Sequence, residues 1–79
     1  MTNKEKYSQA FVEAFEVDIN EVESLKYQGN PNWDSVGHMN LIATIEDAFD
    51  IMMDTDDIID LSSYEKGMEI LSSKYDIEF

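Results

Sequence analysis

The sequence predicts an all-α fold, a four-helix bundle with three longer helices, one short helix, and a long ordered loop between the first and second. Three stretches carry apolar residues at spacings of three and four, which puts them on one face of a helix. A shorter segment has the capping chemistry of a single helical turn, and the one long connection is itself rich in large apolar side chains. In 79 residues these elements make one small domain. A chain of this size buries only about 60% of its unfolded surface, so its core is marginal. Its apolar content of 43% still lies near the globular norm, which argues against wholesale disorder.

The first helix is expected from about Asn3 to Phe15, where Tyr7, Phe11, Ala14 and Phe15 share a face. Asn3 is the expected cap, because its side-chain oxygen can accept from the free N–H groups of the first turn. The connection from Glu16 to Asp34 holds Gly29 and Pro31 but also Ile19, Val22, Leu25 and Trp33. A loop with that many large apolar residues is expected to pack against the core. The second helix, Ser35 to Phe49 or Asp50, has the strongest pattern: Val36, Met39, Ile42, Ile45 and Phe49, with Leu41 widening the stripe. Asp34 and Ser35 stand at its start, where short polar side chains and negative charge are both favoured. Gly37 in the first turn costs about 1 kcal/mol against Ala. Either something large approaches the backbone there, or the position faces solvent and the change is neutral. A short turn is expected from Thr55 to Ile59, with Thr55 as its cap. The last helix is expected to open with the capping-box pattern Ser62-x-x-Glu65, followed by the seam Tyr64, Met68, Leu71 and Tyr75.

Charge narrows the function. Eighteen Asp and Glu face five lysines, with no arginine, for a net charge of −13. Nucleic acid and anionic membrane surfaces are repelled by this balance, whereas a basic partner is attracted at long range. The absence of cysteine excludes a disulfide framework and zinc sites built on Cys. No apolar run follows the N-terminal lysines, and none approaches the roughly 20 residues of a membrane span. The chain therefore reads as a complete, cytoplasmic protein without membrane insertion, and its charge favours a monomer. Glu46, Asp47, Asp50, Asp54, Asp56, Asp57 and Asp60 fall together, with no lysine between Lys26 and Lys66. The cluster is either a solvated face or a docking surface that steers basic partners in a salt-dependent way. Asp54-x-Asp56 begins a calcium-loop pattern, but Ile58 occupies the next ligand position and no glycine follows, which leaves only loose divalent binding.

The chemistry-bearing segment is Trp33-Asp34-Ser35-Val36-Gly37-His38-Met39, and three readings compete for it. Ser35 and His38 are three apart and share a helix face, as a nucleophile and base would. A serine hydrolase, however, also needs a strand-to-helix elbow, an oxyanion hole and a group orienting the histidine. The elbow pattern is only half present, with Gly37 in place and Trp33 where the first glycine belongs. Alternatively, Ser35 is simply the helix cap.

The third reading is a resemblance. From Trp33 to Leu71 the chain resembles an acyl carrier protein: Asp34-Ser35-Val36 is similar to the family's Asp-Ser-Leu motif. Ile45-Glu46-Asp47-Ala48-Phe49-Asp50 resembles the acidic end of its second helix, Asp54 to Ile58 its acidic third helix, and Leu61-Ser62-Ser63-Tyr64 the turn into its fourth. The resemblance implies that Ser35 receives 4′-phosphopantetheine from coenzyme A, through a separate phosphopantetheinyl transferase using Mg²⁺. Asp34, Val36 and His38 would flank the arm. A phosphodiester at a helix start is also physically favoured by the unpaired N–H groups and the dipole. Such a protein is a carrier rather than an enzyme, and its reactive thiol belongs to the arm.

The resemblance further implies that acyl-loading and acyl-transferring enzymes dock through basic patches on Glu46, Asp47, Asp50, Asp54, Asp56 and Asp57. It also implies that the bundle can open between its second and third helices to sheathe an acyl chain. Leu41, Ile45, Met53, Ile58 and Met68 are the expected lining, with methionine suited to an adaptable cavity. Gly37, His38 and Asn40 stand where the family often has acids, so the negative surface starts late. That departure points to a dedicated carrier of a specialised lipid, polysaccharide or natural-product pathway. His38 is expected to point outward, towards solvent or the arm, and to supply positive charge beside a phosphate. The rival readings are an aminoacyl or peptidyl carrier, D-alanyl carriers included, and an acidic helical interaction module without a prosthetic group.

Overall fold

A computed structural model describes residues 2–79. The chain is all-α. It runs through α1 (Asn3–Phe15), a 3₁₀ helix (Ile19–Ser24), α2 (Ser35–Phe49), α3 (Thr55–Asp60) and α4 (Tyr64–Lys74). No helix among the described residues is long and apolar enough to cross a membrane.

The core is aromatic on the α1 side. Tyr7, Phe11 and Phe15 repeat every four residues and are wholly buried, and α1 packs most extensively on α2. The Phe11 ring meets Tyr7, Phe15, Trp33 and Tyr64 edge-on at centroid distances of 4.9 to 6.0 Å, geometries that add to simple area burial. Each buried hydroxyl finds a partner: Tyr7 donates to the Tyr64 carbonyl at 2.6 Å, and Ser8 and Tyr64 share a 2.7 Å contact. Burial, with the Tyr64 phenol beside it, pushes the Tyr7 phenol well above its ordinary range, so it remains a donor.

Three of the helix caps depart from expectation by single residues. Thr2, not Asn3, caps α1: its hydroxyl accepts from the Glu5 N–H at 3.1 Å, and the Glu5 carboxylate accepts from the Thr2 N–H at 3.0 Å. Asp54 precedes α3, which runs through Asp60, so Thr55 is already helical. Ser63, not Ser62, caps α4 and accepts from Lys66 N–H at 3.0 Å. Ser62 stays outside the helix: its carbonyl accepts from Tyr27 N–H at 2.8 Å, and Tyr64 N–H donates to Leu25. These two bonds pin the long loop to the start of α4. Within that loop the 3₁₀ helix buries Val22, and Leu25 and Trp33 are buried as expected, but Ile19 is exposed.

Gly37 reports a close approach. A Cβ there would overlap the Asn32 carbonyl oxygen and crowd the Phe15 ring. Asn32 is fixed in that position, because its side-chain amide donates to the terminal α1 carbonyl, that of Phe15, at 2.8 Å. The loop thus wedges between the end of α1 and the beginning of α2.

Asp57 ties α3 to α4. It is only 2% exposed and accepts from the Lys74 ammonium and the Tyr75 hydroxyl, both at 2.7 Å. This corrects its expected place on the docking surface: a buried carboxylate must be paired, and Asp57 spends both oxygens inside the fold.

Two outcomes follow from these contacts. Gly37→Ala should destabilise the protein by about 1–3 kcal/mol through overpacking, against the roughly 1 kcal/mol that helix propensity alone would add in its favour. Urea unfolding decides the sign, and a more stable variant would contradict the wedge. The Lys74 ammonium, then the Tyr75 hydroxyl, hold the Asp57 carboxyl below its ordinary 3.8. Its contribution is complete above that pH and is lost as pH falls through the lowered folded-state value. Asp57→Asn should therefore lower the neutral-pH melting temperature and flatten the acid limb of the stability profile; an acid limb of unchanged steepness would count against the pairing.

Candidate functional site

Ser35 is the first residue of α2, and the cap before it is Asp34, whose carboxylate accepts from Gly37 N–H at 2.8 Å. Ser35 is therefore not the cap, and its hydroxyl is free of that duty. The His38 N–H donates to the Asp34 carbonyl at 2.8 Å, which leaves the N–H groups of Ser35 and Val36 at the open helix end. The Ser35 side chain is exposed. Its contact is the Tyr27 hydroxyl, 3.4 Å away.

His38 is turned inward, contrary to expectation. The Trp33 indole N–H donates to its Nδ1 at 3.0 Å, and its Nε2 lies 2.7 Å from the Ile58 carbonyl. An indole can only donate and a carbonyl can only accept, so the pair of bonds selects the neutral ring with its proton on Nε2. The imidazole lies parallel to Trp33, with centroids 6.2 Å apart, and Trp33 stacks in turn on Phe15 at 4.9 Å. A histidine with both nitrogens engaged in this way has none left to take a proton from Ser35, which removes the hydrolase pairing. It instead holds α2, the loop and the last turn of α3 together.

Beside Ser35 lies a cleft of about 400 Å³ lined by Tyr27, Ser35, His38, Met39, Ile58, Ile59, Leu61 and Ser62. No charged side chain is among these residues. Met39 and Ile59, 53% and 70% exposed, form its apolar rim, and Val36 next to Ser35 is 70% exposed. The helical stripe read through Val36 and Met39 was thus too wide. The buried face of α2 is Gly37, Leu41, Ile42 and Ile45, and the two outer residues face solvent around the serine.

Of the expected acyl-pocket residues, only Ile58 lines this cleft. Leu41, Ile45 and Met53 are buried in the core and Met68 packs against it, because the core claims the side chains nearest the helix-packing axis. The expected docking acids also divide. Asp47, Asp50, Asp54 and Asp56 are exposed. Glu46 is half-buried, its carboxylate accepting from Met53 N–H at 2.9 Å, and so it shapes the loop after α2. Glu46 sits eleven residues beyond Ser35, about 16 Å along the helix axis. Exposed apolar Val36 and Met39 thus stand near Ser35 beside the Asp34 cap, and the expected docking acids lie at the far end of α2 and in the segment after it.

Tyr27 was absent from the expected site. The loop pairing with Ser62, a long-range contact without a local sequence signal, is what carries it to Ser35.

Compared with protein-family models, curated proteins and solved structures, the chain finds no match.

The His38 clasp has a direct consequence. His38→Ala leaves the wholly buried indole N–H without its partner, a loss of about 1–3 kcal/mol. Unfolding followed by the fluorescence of Trp33, the sole tryptophan, measures it. A midpoint equal to that of the parent protein would show that water replaces the imidazole at no cost.

Proposed function

We propose that this chain is an acyl carrier of the four-helix type, with Ser35 as the attachment point of 4′-phosphopantetheine. The observation that carries the reading is the condition of Ser35. It is an exposed hydroxyl at the first position of a helix, relieved of capping by Asp34, and it opens onto an apolar cleft. The residues fit the group. The Ser35 and Val36 N–H groups and the positive end of α2 favour a phosphodiester, and Tyr27 is within reach of it. The arm itself supplies a thiol on which an acyl group is held as a thioester. Met39, Ile58 and Ile59 offer an apolar wall to whatever the arm carries.

Ser35 has no base of its own, which suits a substrate of a transferase better than a catalyst. The transferase, using coenzyme A and Mg²⁺, would take the serine proton. Enzymes that load and unload the arm meet two surfaces. The apolar collar of Val36, Met39 and Ile59 surrounds the attachment point, and Asp47, Asp50, Asp54 and Asp56 offer long-range attraction to basic patches from the other end of α2. That division supports a carrier dedicated to a few partners in lipid, polysaccharide or natural-product synthesis.

Incubation with coenzyme A, Mg²⁺ and a broad-specificity phosphopantetheinyl transferase, followed by intact-mass measurement, tests the reading. The expected result is a gain of one phosphopantetheine, abolished by Ser35→Ala. No gain, or a gain that survives Ser35→Ala, would overturn it and favour an acidic interaction module.

A further inference from the structure

We infer that Tyr27 is a positioning residue for the transfer of phosphopantetheine to Ser35; the inference rests on the carrier reading above. Its support is the way the loop fixes this side chain. The Tyr27 backbone is tied to the turn that opens α4 by its N–H bond to Ser62 at 2.8 Å and by the adjoining bridge between Lys26 and Ser63. Its ring stands edge-on to Trp33 and His38, with centroids 6.3 and 5.7 Å away. Both of those rings are in turn locked by the Trp33–His38–Ile58 chain of hydrogen bonds. Tyr27 is nevertheless 38% exposed, and its hydroxyl lies beside Ser35 at the cleft. A rigid platform thus delivers one polar atom to the reacting oxygen.

The 3.4 Å separation is longer than a strong O–H···O bond, whose length is about 2.7–2.8 Å. Contacts of this kind tighten when the reacting complex forms. A phenol is the stronger donor of the two hydroxyls, so Tyr27 donates to one lone pair of Ser35 Oγ. This leaves the serine proton and the other lone pair directed outward. In the transfer, Oγ attacks the β-phosphorus of coenzyme A, and a new Oγ–P bond forms. The pyrophosphate P–O bond breaks, and 3′,5′-ADP leaves with the electron pair. The serine proton passes to a base of the transferase. Afterwards the phenol is placed to donate to a phosphate oxygen.

Tyr27→Phe keeps the ring and removes only the hydroxyl. Initial rates of mass gain, measured against concentration of the apo protein with a phosphopantetheinyl transferase and coenzyme A, should show kcat reduced about tenfold. KM for the carrier should stay within about twofold, and the melting temperature should be unchanged. The phosphorus resonance of the loaded protein should also shift between parent and variant, which a purely structural role for the ring would not cause. An unchanged kcat, or an effect confined to KM, would overturn the assignment of Tyr27 while leaving Ser35-dependent loading intact. Failure of the parent protein to gain mass would remove the carrier reading and this inference together.

Discussion

The fold around Ser35 depends on Trp33. Its ring is wholly buried, stacked on Phe15 and joined through its N–H to the parallel ring of His38, with Phe11 and Tyr27 meeting it edge-on. The indole N–H, which has to be satisfied once it is out of water, sets the tautomer of His38, and His38 then reaches the Ile58 carbonyl in the last turn of α3. One ring stack and two hydrogen bonds therefore link the end of α1, through the loop and α2, to α3. Such a network is worth most when every member is satisfied, and among the described residues no buried side-chain polar atom lacks a partner.

This arrangement changes what the acidity of the chain means. With a net charge of −13, self-repulsion works against a small core. Three of the five lysines are spent inside the molecule, on Glu23, Glu69 and Asp57. The first two pairs are exposed and weak; the third closes α3 on α4 around a buried carboxylate. Of the remaining acids, Asp47, Asp50, Asp54 and Asp56 are exposed at and beyond the end of α2, while Val36 and Met39 are exposed apolar residues at its start.

Much of the fold was legible because period and capping are local signals. The limits of α1 and α2 follow from Tyr7, Phe11 and Phe15 and from Leu41, Ile42 and Ile45, and Asp34 announces the start of α2. The misplaced caps at Asn3 and Ser62 were near misses of one residue, and the Thr2-x-x-Glu5 capping box was itself readable. The site was less legible, because its parts meet through tertiary contacts. Val36 and Met39 look like core by spacing alone, yet α3 stops short of covering them. Asp57 cannot be told from its acidic neighbours until Lys74 and Tyr75 fold against it. His38 and Tyr27 owe their positions to partners 20 and 35 residues away, Ile58 and Ser62, beyond the reach of any local pattern.

Hydrogen exchange at the Trp33 indole N–H tests most directly the claim that this residue organises the site. If the bond to His38 holds the loop, α2 and α3 as one unit, the indole proton should exchange as slowly as the core amides of α2 such as Ile45, at a rate set by global unfolding. Exchange at the rate of an unprotected indole, while the Ile45 amide stays protected, would show that the loop opens independently and that Ser35 sits on no fixed frame.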